Sequence, residues 1–259
     1  MMINRKNIIW LNGLILVLIL WYLSSSFDWI DNTLLASPME TLDVIKKSFD
    51  SSTPVSGRIF LHASYTIKIS LIGWGISLLI GTILGLLFGF VKYLMRSFEI
   101  TLEFFRAIPP ILAFPLMLVS FNYEDSAYVW TIVFGCLPIM ILTVSKGVEY
   151  ISNQSIEILK VYSVKPTKII MAKAIEMLPS IFLGARVTFS FALIISVVTE
   201  MVLTPKNGLA LGALARDAEI NFQTPVFYAV LLLLGFLGFF INLLLKRIER
   251  LFGVKQLNS

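Results

Sequence analysis

Histidine and cysteine are almost missing from this chain, with one of each in 259 residues. Cys136 lies inside an apolar run, so the chain has neither a disulfide framework nor a thiolate metal site. A metal centre would have to be made of carboxylates alone, and a catalytic cluster has few groups to draw on. His62 and Cys136 are both read as structural. Charge is scarce too: Asp, Glu, Lys and Arg make up 14% of the residues, against roughly 25% in soluble domains. No G-x-x-x-x-G-K-[ST] occurs, so no phosphate-cradling loop is present. What is plentiful is apolar, 57% of the chain with a mean hydropathy of +0.85. This is the composition of a polytopic all-α membrane protein. The net charge of +5 does not indicate a nucleic-acid partner, because the bases are not gathered in one patch.

A hydrocarbon core of about 30 Å takes about 20 apolar residues to cross as a helix. Six runs qualify as transmembrane helices: Asn7–Phe27, Ile69–Val91, Ala107–Tyr123, Ser126–Ser145, Val187–Pro205 and Ile220–Leu245. The first follows Arg5 and Lys6, as a signal peptide would. It is longer than a signal core, however, and no A-x-A site follows Ser24–Ser26, so it is read as an uncleaved helix. With both termini inside, the inner segments hold 15 bases and 6 acids, and the outer ones 6 bases and 10 acids. That asymmetry sets the orientation and places residues 146–186 in the cytoplasm.

A single membrane domain, 1–259, is the simplest organisation. An outer segment, 28–63, is expected to hold a short helix beginning at Pro38, with Leu42, Ile45 and Phe49 at helical spacing. In the second span Gly73, Ser77, Gly81, Gly85 and Gly89 put a small residue at every fourth position, a stripe that admits another helix backbone. Tight helix packing and a glycine-lined pathway both fit it. Pro109 and Pro110 open the third span, and Pro115 and Pro138 lie deeper.

Residues 146–186 are wet where their neighbours are oily. Ile158, Leu159, Val161 and Tyr162 form a short amphipathic stretch, and Ser163-Val164-Lys165 interrupts it. Pro166 fits the first position of a second helix running to Leu178, after which Pro179 marks the passage into the fifth span. Such a helix–turn–helix could dock into a groove on a soluble partner or lie on anionic lipid. The residues alone leave both open.

This segment resembles the EAA loop of binding-protein-dependent ABC importer permeases. Glu157 stands at the glutamate of E-A-A-x-x-x-G, Ile158 and Leu159 replace the alanines, and Ser163 replaces the glycine. Leu178-Pro179 followed by Gly184 and Arg186 is similar to the family's L-P…G-x-R exit. Arg106-Ala107-Ile108-Pro109-Pro110 matches the R-A-I-P-P signature of the sulfonate, taurine and nitrate branch. Leu35-Ala36-Ser37-Pro38 and Thr199-Glu200-Met201 with Gly208-Leu209 resemble two more of its stretches.

The resemblance implies a type I ABC importer permease in a bacterial inner membrane, carrying a small solute: an organic anion such as a sulfonate, nitrate or bicarbonate, or a vitamin precursor. Its implied partners are a cytoplasmic ABC ATPase dimer, an extracellular or periplasmic solute-binding protein and a second permease copy. ATP would be used by the ATPase, and this chain would hold no cofactor and catalyse no reaction. The ATPase-coupling residues would be Glu157, Ile158, Leu159, Tyr162, Ser163, Val164, Lys165 and Pro166, with Arg186 anchoring the loop. Glu200, near the outer end of the fifth span, is a functional candidate or an outer-surface acid. A secondary transporter and an integral membrane enzyme are the alternatives. Most runs lack the intramembrane charges the first needs, and the second needs clustered catalytic groups.

Overall fold

The computed structural model describes the backbone of residues 5–27, 31, 33–50, 59–149 and 166–251, all of it helix and connection with no strand among the described residues. In chain order the helices are α1 (Arg5–Ser26), α2 (Pro38–Lys47), α3 (Ile59–Phe90), α4 (Lys92–Ala107) and α5 (Pro110–Ser120). They continue with α6 (Asp125–Glu149), α7 (Pro166–Val202), α8 (Leu211–Ile220) and α9 (Thr224–Leu251).

Four of them, α3, α6, α7 and α9, are long and apolar enough to cross a membrane. The pair α4–α5 would make a fifth, but it bends by 91°. The bend falls at Ile108-Pro109, the centre of the R-A-I-P-P run. A residue before proline is pushed out of the helical region, and both Ile108 (ψ 123°) and Pro109 (ψ 120°) are extended. Pro110 then starts α5, where its missing N–H matters least. The expected third span is thus only 11 helical residues behind a sharp corner. Side chains of α1 are described continuously only from Ile15, so the described residues hold four or five spans where six were expected.

Helix α6 is the hub, packed against α3, α4, α5 and α7. Of its apolar window 72% is buried, against 11% for α9, which turns most of its surface outward. Ile132, Cys136 and Met140 on α6 are fully enclosed. Ile132 and Cys136 share a core with Tyr65 and Ile69 of α3, Phe114 of α5 and Ala192 and Ile195 of α7, and Met140 lies against Gly81 and Gly184.

The expected helix end at Pro179 is absent. Residues 166–202 form one helix of 37 residues with Pro179 inside it. Proline removes one donor and crowds one carbonyl, and surrounding protein in a membrane helix makes that tolerable. Sequence reading also passed over α8, a ten-residue helix between the last two spans.

Candidate functional site

Two polar junctions tie the helices of this apolar bundle together. The first forms where the chain turns back after α7. Residues 203–210 return toward the bundle, and α8 begins with Leu211 and Gly212 buried. A helix start leaves N–H groups without intrahelical partners, and the N-cap, Ala210, has no side chain to offer. Other helices supply the acceptors. Ala210 N–H donates to His62 Nδ1 at 3.1 Å, Leu211 N–H to Thr66 Oγ1 at 2.9 Å and Gly212 N–H to Glu200 Oε2 at 3.0 Å. His62 Nδ1 also lies 3.0 Å from the Ala210 carbonyl oxygen, so the tautomer sets whether the ring accepts from that residue's amide or donates to its carbonyl.

Glu200 is fully buried. Besides Gly212 it accepts from Thr66 Oγ1 at 2.9 Å and from Ser196 Oγ at 3.0 Å. A carboxylate in such a place needs donors all round and gains from the positive end of a helix. Here α3, α7 and α8 all contribute. Gly212 makes the approach possible: a Cβ there would collide with the Val197 carbonyl oxygen and lie 2.7 Å from Glu200 Cβ. Glu200 is therefore an interior cross-brace, and the surface position considered for it from sequence is ruled out.

The second junction joins α3, α7 and α9. Arg186 of α7 faces Glu249 of α9 at 3.4 Å, with side-chain exposures of 22% and 4%. One residue before the arginine, the Ala185 carbonyl accepts from Trp74 Nε1 of α3 at 2.9 Å. The Trp74 ring meets Phe189 edge-on at 5.4 Å. Nearby in sequence to the corner at Pro109, Glu103 of α4 holds Arg106 at 2.7 Å and Lys146 of α6 at 3.7 Å. The basic residue of the R-A-I-P-P run is therefore tied to the bend's own helix.

The small-residue stripe lies along α6. A Cβ on Gly73, Gly81, Gly85 or Gly89 would stand 2.5–2.7 Å from Ile132, Met140, Val144 or Val148. Ser77 is buried between them and folds its hydroxyl back onto the Gly73 carbonyl at 2.9 Å. Cys136 and His62 are buried as well, Cys136 with its Sγ 3.4 Å from the Thr188 carbonyl. Pro166 opens α7. Glu157, Ile158, Leu159, Tyr162, Ser163, Val164 and Lys165 lie outside the described residues.

Sequence reading missed Thr66, Ser196 and Gly212 as partners of Glu200, and Glu249 as the partner of Arg186. Ser196 and Glu200 stand four apart in a run with no other charge, a spacing that puts both on one helix face and could have flagged them. The described residues contain no group of three or more His, Cys, Asp or Glu that could hold a metal ion.

Residues 77–254 match the family described as "Binding-protein-dependent transport system inner membrane component". The chain is 22% identical over 254 residues to an aliphatic sulfonates transport permease protein of Bacillus subtilis, covering 95% of this chain and 88% of the relative. A protein of the same description from Escherichia coli is 24% identical over 236 residues, covering 91% and 87%. The bicarbonate transport system permease protein of Synechococcus elongatus is 23% identical over 180 residues, covering 69% and 64%. In fold the chain is similar to the MetNI methionine ABC transporter in an inward-facing conformation. The TM-score is 0.60 at 21% identity, covering 74% of this chain and 96% of that one.

Proposed function

This chain belongs to the binding-protein-dependent transport system inner membrane components, and we propose from that membership that it is the permease subunit of an ABC importer for a small anionic solute. The observation that carries the proposal is the length of the match to sulfonate permeases, 95% of the chain at 22% identity. A sulfonate is the first substrate class to test and bicarbonate the second, with nitrate and a vitamin precursor behind them. In this reading both termini face the cytoplasm, an orientation that the excess of bases on the inner segments supports.

In this reading two permease copies enclose the pathway. A cytoplasmic ATPase dimer grips residues 157–166, and a solute-binding protein delivers cargo to the opposite face. ATP binding closes the ATPases and draws the two coupling segments together. Residue 166 begins α7, so the movement enters a 37-residue helix running to the Glu200 junction. Arg186 lies on that helix and clasps Glu249, which lets α9 move with it. A continuous helix braced at Arg186 near its middle and at Glu200 near its C-terminal end is suited to carry displacement across the bilayer.

Glu157 tests the coupling role. Glu157→Lys is expected to lower binding-protein-stimulated ATPase activity of the reconstituted complex by about tenfold, a change of about 1.4 kcal/mol, while insertion and ATPase retention persist. Stimulation equal to the parent would remove Glu157 from the socket.

A further inference from the structure

A groove of about 350 Å³ lies between the apolar stretches of α7 and α9. Its lining includes Ser190, Leu193, Ile194 and Val198 of α7 and Gly235 and Gly238 of α9. Ser190 is the polar side chain in this lining, and its hydroxyl is turned onto the Arg186 carbonyl at 3.3 Å. The glycines keep the space open: a Cβ on Gly235 would meet nothing within 4 Å, and one on Gly238 only Leu193 at 3.8 Å. Ile194 is 58% exposed, so the groove opens to the surface of the bundle.

Followed along both helices, the groove leads to a cluster of bases. On α7, Arg186 stands 4, 7 and 11 residues before Ser190, Leu193 and Val197, on the same helix face. On α9, Leu245 and Glu249 follow Gly238 by 7 and 11 residues, again on one face. Lys246, Arg247 and Arg250 flank Glu249, which is the one acid of α9. Among the described residues no acid pairs with any of these three bases. Glu249 does not saturate Arg186 either. Their contact at 3.4 Å is an ion pair without a hydrogen bond, and Arg186 Nε and Glu249 Oε2 are both buried with no hydrogen-bond partner.

An apolar slot that ends on ammonium and guanidinium groups matches a phospholipid, its acyl chain beside the glycines and its phosphate among the bases. The depth agrees. Gly238 and Lys246 are eight residues apart, about 12 Å along a helix, which fits within half of a hydrocarbon core of about 30 Å. A second copy of this chain fits less well, because a two-fold axis normal to the membrane would set the same bases at the same depth, where they repel.

We propose that the α7–α9 groove binds an anionic phospholipid whose headgroup phosphate is held by Lys246 and Arg250 beside the Arg186–Glu249 pair. The inference rests on α7 and α9 spanning a membrane and is independent of the solute carried.

The test reconstitutes the full permease–ATPase complex in phosphatidylcholine vesicles containing a trace of phosphatidylglycerol with a diazirine in its acyl chain. Photoadducts are mapped by mass spectrometry. They are expected on residues 190–198 and 234–238, at least about fivefold more than from phosphatidylcholine bearing the same diazirine. Gly235→Leu fills the groove and should cut the phosphatidylglycerol adducts at least about fivefold, whereas Gly75→Leu, at another open glycine, should leave them within about twofold. Lys246→Gln with Arg250→Gln leaves the groove's shape intact and should bring the phosphatidylglycerol yield down to that of phosphatidylcholine. Equal labelling by the two lipids, no adducts in the groove, or a yield indifferent to the charge change would overturn the proposal. ATPase retention is followed for every variant, and if Gly235→Leu fails to assemble, the glutamine pair decides alone.

Discussion

Glu200 concentrates the energetic stakes of the fold in one carboxylate. Three donors converge on it, from Thr66, Ser196 and Gly212, and each belongs to a different helix or a different turn. Removing the carboxylate leaves those donors buried without an acceptor, at about 1–3 kcal/mol for each left unmet. Glu200→Ala is therefore expected to destabilise the protein by about 2–4 kcal/mol after partial relaxation. Glu200→Gln keeps one acceptor oxygen and should lose less. Thermal melting of the detergent-solubilised protein decides this: an alanine variant as stable as the parent would mean that the junction does not hold α8 in place. From sequence, Glu200 was visible as a lone acid in an apolar run. Its partners were not, because Thr66 lies 134 residues away and the Gly212 contribution is a backbone N–H.

Among the elements, α3 was the most legible and α8 the least. The four-residue repeat from Gly73 to Gly89 announces a close helix contact in the sequence itself, although it does not say which helix comes near. That partner, α6, emerges only from the tertiary packing. Helix α8 carries none of the usual start signals, since alanine occupies the N-cap and the capping groups come from α3 and α7. Pro179 misled for the converse reason: proline is a strong local stop signal, yet α7 continues through it.

The α7–α9 clasp yields a prediction at the same scale. Arg186→Glu sets a second carboxylate against the nearly buried Glu249 and is expected to lower ATP-driven uptake by about tenfold. Adding Glu249→Arg should recover roughly half of the lost activity, because the pair is re-formed in reverse. If the double variant transports no better than Arg186→Glu alone, the two residues are not acting as a pair.

At the scale of the molecule, the described residues form an apolar helical bundle with few charges buried inside it. Composition, helix packing and a family match over residues 77–254 agree on an inner membrane component of a binding-protein-dependent transport system. The proposed orientation rests on lysine and arginine placement, which is read from the sequence.

The most direct measurement is uptake into proteoliposomes of radiolabelled alkanesulfonate and, separately, bicarbonate by this chain purified with its ATPase and supplied with the solute-binding protein. The ATPase side faces an ATP-loaded lumen, the binding-protein side faces the medium, and transport is read as export-corrected accumulation. Accumulation of one of these anions that requires both ATP and the binding protein is the predicted result. Accumulation driven by an imposed proton or sodium gradient, with no dependence on ATP or the ATPase subunit, would contradict the account.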